Sequence, residues 1–365
     1  MKLNDFLTEQ WMNDYEGRAV YNMTDTCVQP LSLRELTAMD EDHLLERTIL
    51  DYGVITGDEK LKEEILRLYH TGSTANIATT HGCLAANEMV MNTFLEPGDT
   101  VVTFVPGYQQ FTDIPASLGC RVITVSLREE NGWMPDEKEL EAAFHSPVKM
   151  VILNNPANPT GRFFDEAFLE KLTGYCRPEK TYILSDEIYR GKDPDEISVS
   201  DLYEYGISTS GLAKMFSLAG LRMGWVKASE EIIHQLNVRR DYTFISTGPL
   251  ADTLSCIALR NQDHLIERSR KIISADKQVY TEWLKKEKHA SLVMPEKGTV
   301  GFLRYEGSIP SRYLALQLLD EHGVFFVPGS CFGCENHLRI GFTRDPEMVT
   351  EGLRFLSEKL AEINC

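Results

Sequence analysis

The run KMVILNNPANPTG, Lys149 to Gly161, decides the fold. Its first half is an unbroken apolar stretch, too short for a helix and ended by turn residues, which is the pattern of a strand buried on both faces of a sheet. Its second half, Asn154-Asn155-Pro156-Ala157-Asn158-Pro159-Thr160-Gly161, puts two X-Pro steps and a glycine directly after that strand. Such a sequence forces a tight, extended turn that can present an asparagine amide.

Moving outward, TYIL from Thr181 lies on one side, with RVITV from Arg121 and VVTFV from Val101 on the other. Helical patterns separate them. Asp58 opens a helix with Leu61, Ile65 and Leu68 on one face, and Cys83 to Leu95 forms another. Short β-rich runs joined by helices of this length imply crossover connections, so the spacing predicts an α/β fold with a mainly parallel sheet and helices on both faces. After Pro249 the pattern changes to a long helical stretch reaching about Lys286, then strands near Thr299–Arg304 and His337–Phe342, and a last helix from about Pro346. This predicts a smaller α+β domain. The boundaries expected are an N-terminal segment, 1–45, packing with the small domain, a large domain, 46–265, and the small C-terminal domain, 266–365.

Composition narrows the function. The 365 residues carry a formal charge of -18, whose field repels phosphates and argues against nucleic acid or an anionic membrane as the main partner. Asp5 and Glu9 interrupt the start where a signal peptide needs an apolar run, and no stretch approaches the apolar length of a membrane span, so the chain reads as cytoplasmic. Eight scattered cysteines suit a reduced compartment. Cys331 and Cys334 form one C-x-x-C pair without a second half-site, so no metal is expected. A dinucleotide enzyme is disfavoured because no G-x-G-x-x-G or P-loop follows the early strands. A regulatory sensor built on a catalytic fold would need a basic DNA-binding segment that the sequence does not show.

In open α/β sheets ligands sit beyond the carboxyl ends of the strands, and four loops there hold unusual residues. The Asn154–Gly161 turn is one. Ser185-Asp186-Glu187-Ile188-Tyr189 is the second, where a carboxylate at a buried strand end needs a cationic partner. The third is SGLAKMFSLAGLRMGW, Ser210 to Trp225, in which Lys214 and Arg222 are the only charges; apolar flanks would depress the amine toward its nucleophilic neutral form. The fourth is Pro328–Gly333 followed by His337–Phe342, with Arg339 in mid-strand, a guanidinium poised for a carboxylate.

Together these residues resemble the class I/II aminotransferase family of fold type I enzymes, over nearly the whole chain from about Tyr52 to Arg339, with Asn158, Asp186, Lys214, Arg222 and Arg339 in family order. The resemblance implies pyridoxal 5'-phosphate as cofactor, held by Lys214 through a Schiff base, with an amino acid and a 2-oxo acid as substrates. It implies that Asp186 pairs with the ring nitrogen, that Tyr189 and Asn158 bond the ring's 3-oxygen, and that Tyr108 stacks on the ring. Arg222 and the amides of Gly82, Cys83 and Leu84 would hold the phosphate, and Arg339 the substrate α-carboxylate, beside Asn158. Tyr52 would reach the phosphate in a neighbouring subunit, making a homodimer with shared active sites. Two departures stand out. Gly211 and Ala213 replace the family's hydroxyls before the lysine, leaving Ser208, Thr209, Ser210 or Ser217 as substitutes. TDTCVQPLSLREL from Thr24 replaces the usual Gly-x-Pro-Asp-like turn of the substrate pocket. The second departure keeps open an elimination or cyclisation like that of capreomycidine synthase, or a C–S/C–O lyase reaction. Arg190, Lys192, Arg239 and Arg240 are candidates for an acidic substrate side chain, with surface charge as the plainer reading of all four.

Overall fold

The computed structural model describes residues 2–365. The apolar runs form the interior of one sheet whose strands are β1 (Ile77–Thr80), β2 (Thr100–Val105), β3 (Arg121–Arg128), β4 (Met134–Pro135), β5 (Met150–Asn154), β6 (Tyr182–Asp186), β7 (Gly206–Gly211) and β8 (Gly224–Lys227). Their spatial order is β1-β8-β7-β6-β5-β2-β3-β4. The pairs from β7 through β3 are parallel, whereas β8 runs antiparallel to both β1 and β7. Every residue of β5 is buried, as a strand covered on both faces requires. Strands β7 and β8 lie inside what reads as a polar and glycine-rich region. Gly211 and Gly224 face each other there, and a Cβ on Gly224 would fall 2.3 Å from the carbonyl carbon of Gly82. Small residues at this point are a packing demand that hydrophobic periodicity does not register.

The chain order reverses at β2, with β3 on one side and β5 on the other. Such a switch point leaves a crevice at the carboxyl ends of the strands. Asp58 caps the helix Glu59–Leu66 by accepting from the Leu61 amide. The second predicted helix is α2 (Cys83–Phe94). The long helical stretch after Pro249 is two helices, Pro249–Arg260 and Gln262–Leu284, meeting at Asn261, whose side chain bonds the Ile257 carbonyl.

A second sheet joins β9 (Ala290–Ser291), β10 (Val300–Tyr305), β11 (Val327–Pro328) and β12 (His337–Gly341), in the order β9-β10-β12-β11, all antiparallel. The N-terminal helix α1 (Leu7–Tyr15) buries Trp11, whose indole N–H donates to the Phe326 carbonyl at 2.8 Å and whose ring stacks on Phe325. Tyr21 and Asn22 pair in parallel with Val324 and Phe325. Fully burying an aromatic of this size contributes about 2–3 kcal/mol, enough to hold a single short helix in place.

The segment after Asn22 is anchored through a buried carboxylate. Asp276 accepts from the Arg344 amide at 2.8 Å on one oxygen and leaves the other without a partner among the described residues. The Arg344 guanidinium in turn pairs with Asp25. Burial pushes the Asp276 carboxyl up from 3.8 to about 7. Folding therefore favours the protonated form; the associated stability is complete below the unfolded value and is lost as pH rises through about 7. Asp276→Asn, neutral at every pH and still an acceptor for Arg344, should gain stability relative to the native chain between pH 5 and pH 8, by on the order of 3 kcal/mol. Urea midpoints at the two pH values measure this, and a pH-independent difference would contradict it.

Candidate active site

The loops at the carboxyl ends of β2, β5, β6 and β7, the start of α2, and the N-terminal segment converge on a cavity of about 480 Å³. Of the residues singled out in the sequence, Gly82, Cys83, Leu84, Tyr108, Asn158, Asp186, Tyr189, Lys214, Arg222 and Arg339 all line it. Tyr52 does not; it is 70% exposed on the surface.

Asp186 ends β6 and is 5% exposed. Its Oδ2 accepts from the Asn87 amide at 2.7 Å and its Oδ1 from the Ile188 backbone at 3.1 Å, and no ion pair reaches it among the described residues. Burial raises its carboxyl above the ordinary value, with these hydrogen bonds opposing. The adjacent Glu187, equally buried, is satisfied within the protein: Arg190 lies 3.3 Å away, and Ser208, Ser198 and the Val199 amide donate to it. Two neighbouring carboxylates thus face opposite circumstances. One is a closed structural ion pair; the other is an uncompensated anion on a cavity wall, the state that costs most unless a ligand supplies the cation.

Asn87 is placed by its own ring of bonds, accepting from Thr209 at 2.5 Å and donating also to Gln110 at 3.1 Å. Sequence reading passed over it, although a buried asparagine in the apolar helix CLAANEMVMNTF was the available signal. Asn158 is 4% exposed and its Oδ1 has no partner among the described residues. Its backbone N–H donates to Asn154 Oδ1, and Asn154 Nδ2 donates to the Asp186 carbonyl, so the turn after β5 is clamped to the end of β6.

Lys214 is half-buried. Its Nζ donates to Thr26 Oγ1 at 2.5 Å and lies 3.4 Å from Cys27 Sγ. Burial, the largest influence, pushes the amine down, but the facing Tyr189 hydroxyl, the Cys27 thiol and Asp25 outweigh it and hold the ammonium above its ordinary value. The expectation of a depressed amine is thus corrected. Apolar flanks in sequence are not the groups that surround Nζ in space; the N-terminal segment provides those. Arg339 on β12, 4% exposed, donates from Nε to Thr24 Oγ1 at 3.1 Å and from Nη2 to the Thr24 carbonyl at 3.3 Å. It has no carboxylate partner among the described residues.

At the other end, Gly82 precedes α2 with φ +86°, and the helix has no side-chain cap. The Cys83 and Leu84 amides have no acceptor among the described residues, an arrangement at a helix N-terminus that suits an anion. Arg222, itself at φ +53°, lies against them: a Cβ added to Gly82 would come 2.9 Å from its Nη2. The expected hydroxyl substitutes do not serve here. Ser208 and Ser210 bond Glu187, Thr209 bonds Asn87, and Ser217 lies against Ser269 and Arg268. The strand turns Ser208, Thr209 and Ser210 into the sheet packing and the loop turns Ser217 toward Ser269, so backbone amides and one guanidinium are what remains for an anion.

The four basic candidates for an acidic side chain are also corrected, since none lines the cavity. Arg190 and Arg240 are not surface charges either: Arg190 is buried against Glu187 and the Tyr69 ring, and Arg240 is buried with its guanidinium on the Ile55 and Thr79 carbonyls. Lys192 pairs with Asp263. The N-terminal segment instead brings Glu9, Glu16, Asp25, Thr26 and Cys27 to the cavity. The unusual TDTC sequence flagged the last three; nothing in α1 flagged Glu9.

Comparison with known proteins places this geometry. The family model Aminotransferase class I and II matches residues 22–356. The chain is similar to a solved PLP-dependent aminotransferase from Streptococcus suis 89-1591, with 35% identity, 100% of this chain and 99% of that one covered, and a TM-score of 0.95. It is 27% identical to capreomycidine synthase of Streptomyces vinaceus over 96% of this chain and 92% of that protein. It is 28% identical to aspartate aminotransferase of Sulfurisphaera tokodaii, over 84% and 80% respectively. The fold is therefore that of the pyridoxal 5'-phosphate aminotransferases, and the cavity fits the cofactor: an unpaired buried carboxylate for a protonated ring, a buried Asn158 side-chain amide without a partner among the described residues, and a glycine-lined helix N-terminus with its arginine. Gly82→Ala should lower affinity for pyridoxal 5'-phosphate by about tenfold or more, since both the φ and the contact with Arg222 resist a Cβ. Absorbance titration of the apoprotein reads this; native affinity in the variant would remove Gly82 from the anion site.

Proposed function

The chain belongs to the class I and II aminotransferase family of pyridoxal 5'-phosphate enzymes, and we propose that it transfers the amino group of an amino acid to a 2-oxo acid, with Lys214 as the cofactor-holding residue. The observation that carries this reading is the convergence of Asp186, Lys214, Arg222 and Arg339 on one cavity without an ion pair among them or to any other described residue. Each charge then has a counterpart in a cofactor and an amino acid: ring nitrogen, aldehyde carbon, phosphate and α-carboxylate.

When bound, pyridoxal 5'-phosphate supplies an electrophilic carbon for an amine and a ring that withdraws electrons from the substrate Cα. Asp186 would keep the ring nitrogen protonated, and Asn87, by donating to Oδ2, fixes the carboxylate's orientation. Tyr189 and Asn158 would donate to the 3-oxygen, and Tyr108 lies on the cavity wall where a ring could stack. Arg339 grips the α-carboxylate with its planar fork, replacing its bonds to Thr24. Lys214 would hold the cofactor through Nζ and, with that nitrogen free and neutral, would be placed to accept the proton from the substrate Cα. Thr26 holds that nitrogen in place meanwhile. Tyr52, exposed and outside the cavity, would act on the cofactor phosphate of a second copy in a homodimer.

A second reading is elimination or cyclisation of the amino acid. The similarity to capreomycidine synthase, which spans 96% of this chain and so includes most of the N-terminal residues around Lys214, favours it over a C–S or C–O lyase reaction. The test is the visible spectrum of the purified protein with cofactor, beside Lys214→Ala. The native protein should show a visible band and a borohydride-fixed adduct on Lys214; the variant should lack the adduct. Conversion to the pyridoxamine form by an amino acid, with release of its 2-oxo acid, is the outcome expected. A band that persists while ammonia, water or a cyclic product is released would replace transamination with the second reading.

A further inference from the structure

The cavity holds more negative charge than the cofactor chemistry uses. Its cations are Lys214, Arg222 and Arg339, and its anions are Glu9, Glu16, Asp25 and Asp186. In the proposed reaction the three cations and Asp186 are all engaged, and Asp25 is paired with Arg344. Glu9 and Glu16 are left over. Each is oriented by one neutral donor, Glu9 Oε1 by the Tyr108 hydroxyl at 3.0 Å and Glu16 Oε1 by the Asn22 amide at 2.9 Å. Each keeps its second oxygen without a partner among the described residues, and neither forms an ion pair there.

We propose that the substrate is an amino acid with a cationic side chain, an ammonium or guanidinium group received by Glu9 and Glu16. This inference rests on the reading of the cavity as an amino-acid site. Two independent features aim a ligand into it: the Asn158 oxygen, buried and unpartnered, and the Arg339 guanidinium, buried and free of any carboxylate among the described residues. With the α-carboxylate on Arg339, the side chain extends within the same cavity, whose remaining charged wall is Glu9 and Glu16. Among the described residues an acidic side chain has no uncommitted cation to meet there, and it would be repelled by both. Burial and the neighbouring Asp25 hold the Glu16 carboxyl above its ordinary value, a strain that a bound cation relieves. The two residues lie on α1 and in the turn after it, ahead of the matched family region that begins at residue 22, so this wall belongs to the part of the chain outside the shared catalytic frame.

The experiment uses the holoenzyme and pairs of probes matched in shape and differing in charge: arginine against citrulline, and lysine against norleucine, with aspartate and glutamate alongside. Substrate binding is followed by the change in the cofactor band, and turnover by kcat/KM. The cationic member of each pair should be preferred by about tenfold to a hundredfold, and the preference should shrink as salt rises, because the carboxylates are partly solvated. Glu16→Gln and Glu9→Gln should each lower binding of arginine and narrow the arginine-to-citrulline ratio, with the double variant narrowing it further. Equal affinities within each pair, or a preference for the dicarboxylic amino acids, would overturn the inference while a normal cofactor band left the proposed function standing. Failure to form any cofactor band would sink the underlying reading instead.

Discussion

The site is organised by one constraint: a carboxylate, Asp186, is buried at the end of the central sheet with no ion-pair partner among the described residues. An isolated buried anion costs several kcal/mol, and the protein meets part of that cost with hydrogen bonds from Asn87 and Ile188. The remainder is left for a ligand. Asn87 is itself held by Thr209 on the neighbouring strand, and the turn after β5 is tied to the Asp186 carbonyl through Asn154. The position of the carboxylate thereby sets the positions of α2, of Asn158 and of the strand that leads to Lys214.

Around that point the cavity separates its tasks by end. The α2 N-terminus and Arg222 would receive an anion with backbone amides and one guanidinium, without the hydroxyls that often supplement such a cup. Arg339, on the second sheet, faces the N-terminal segment through Thr24. That segment is the most individual feature of the site. It places Thr26 and Cys27 beside the lysine and Glu9 and Glu16 on the wall, and it is fixed to the rest of the chain by Trp11 and by the Asp25–Arg344–Asp276 contacts.

How much of this was legible in the sequence follows from what each residue's neighbours are. The strands around Val101, Lys149 and Thr181 were readable because burial on both faces writes a continuous apolar run, and the half-buried strand from Arg121 because its β-branched residues still mark it. The strands Gly206–Gly211 and Gly224–Lys227 were not, because close backbone contacts, Gly206 on Val199, Gly211 on Met223 and Gly224 on Gly82, demand glycine rather than valine or isoleucine. Lys214, Asp186, Asn158, Arg222 and Arg339 stood out as polar groups in apolar surroundings, and they do meet at one cavity. The fate of the hydroxyls near the lysine and of the arginines at 190 and 240 was not legible, since it depends on which way a strand or helix turns a side chain. The state of the Lys214 amine failed for a related reason: its neighbours come from residues almost two hundred positions away.

The central claim is that Asp186 exists to hold a protonated ring. The most direct measurement is the ¹⁵N chemical shift of ring-labelled pyridoxal 5'-phosphate bound to the protein at pH 8, in the native chain and in Asp186→Asn. The account predicts a protonated ring nitrogen in the native protein and a neutral one in the variant. A neutral nitrogen in the native protein, or the same shift in both, would contradict it.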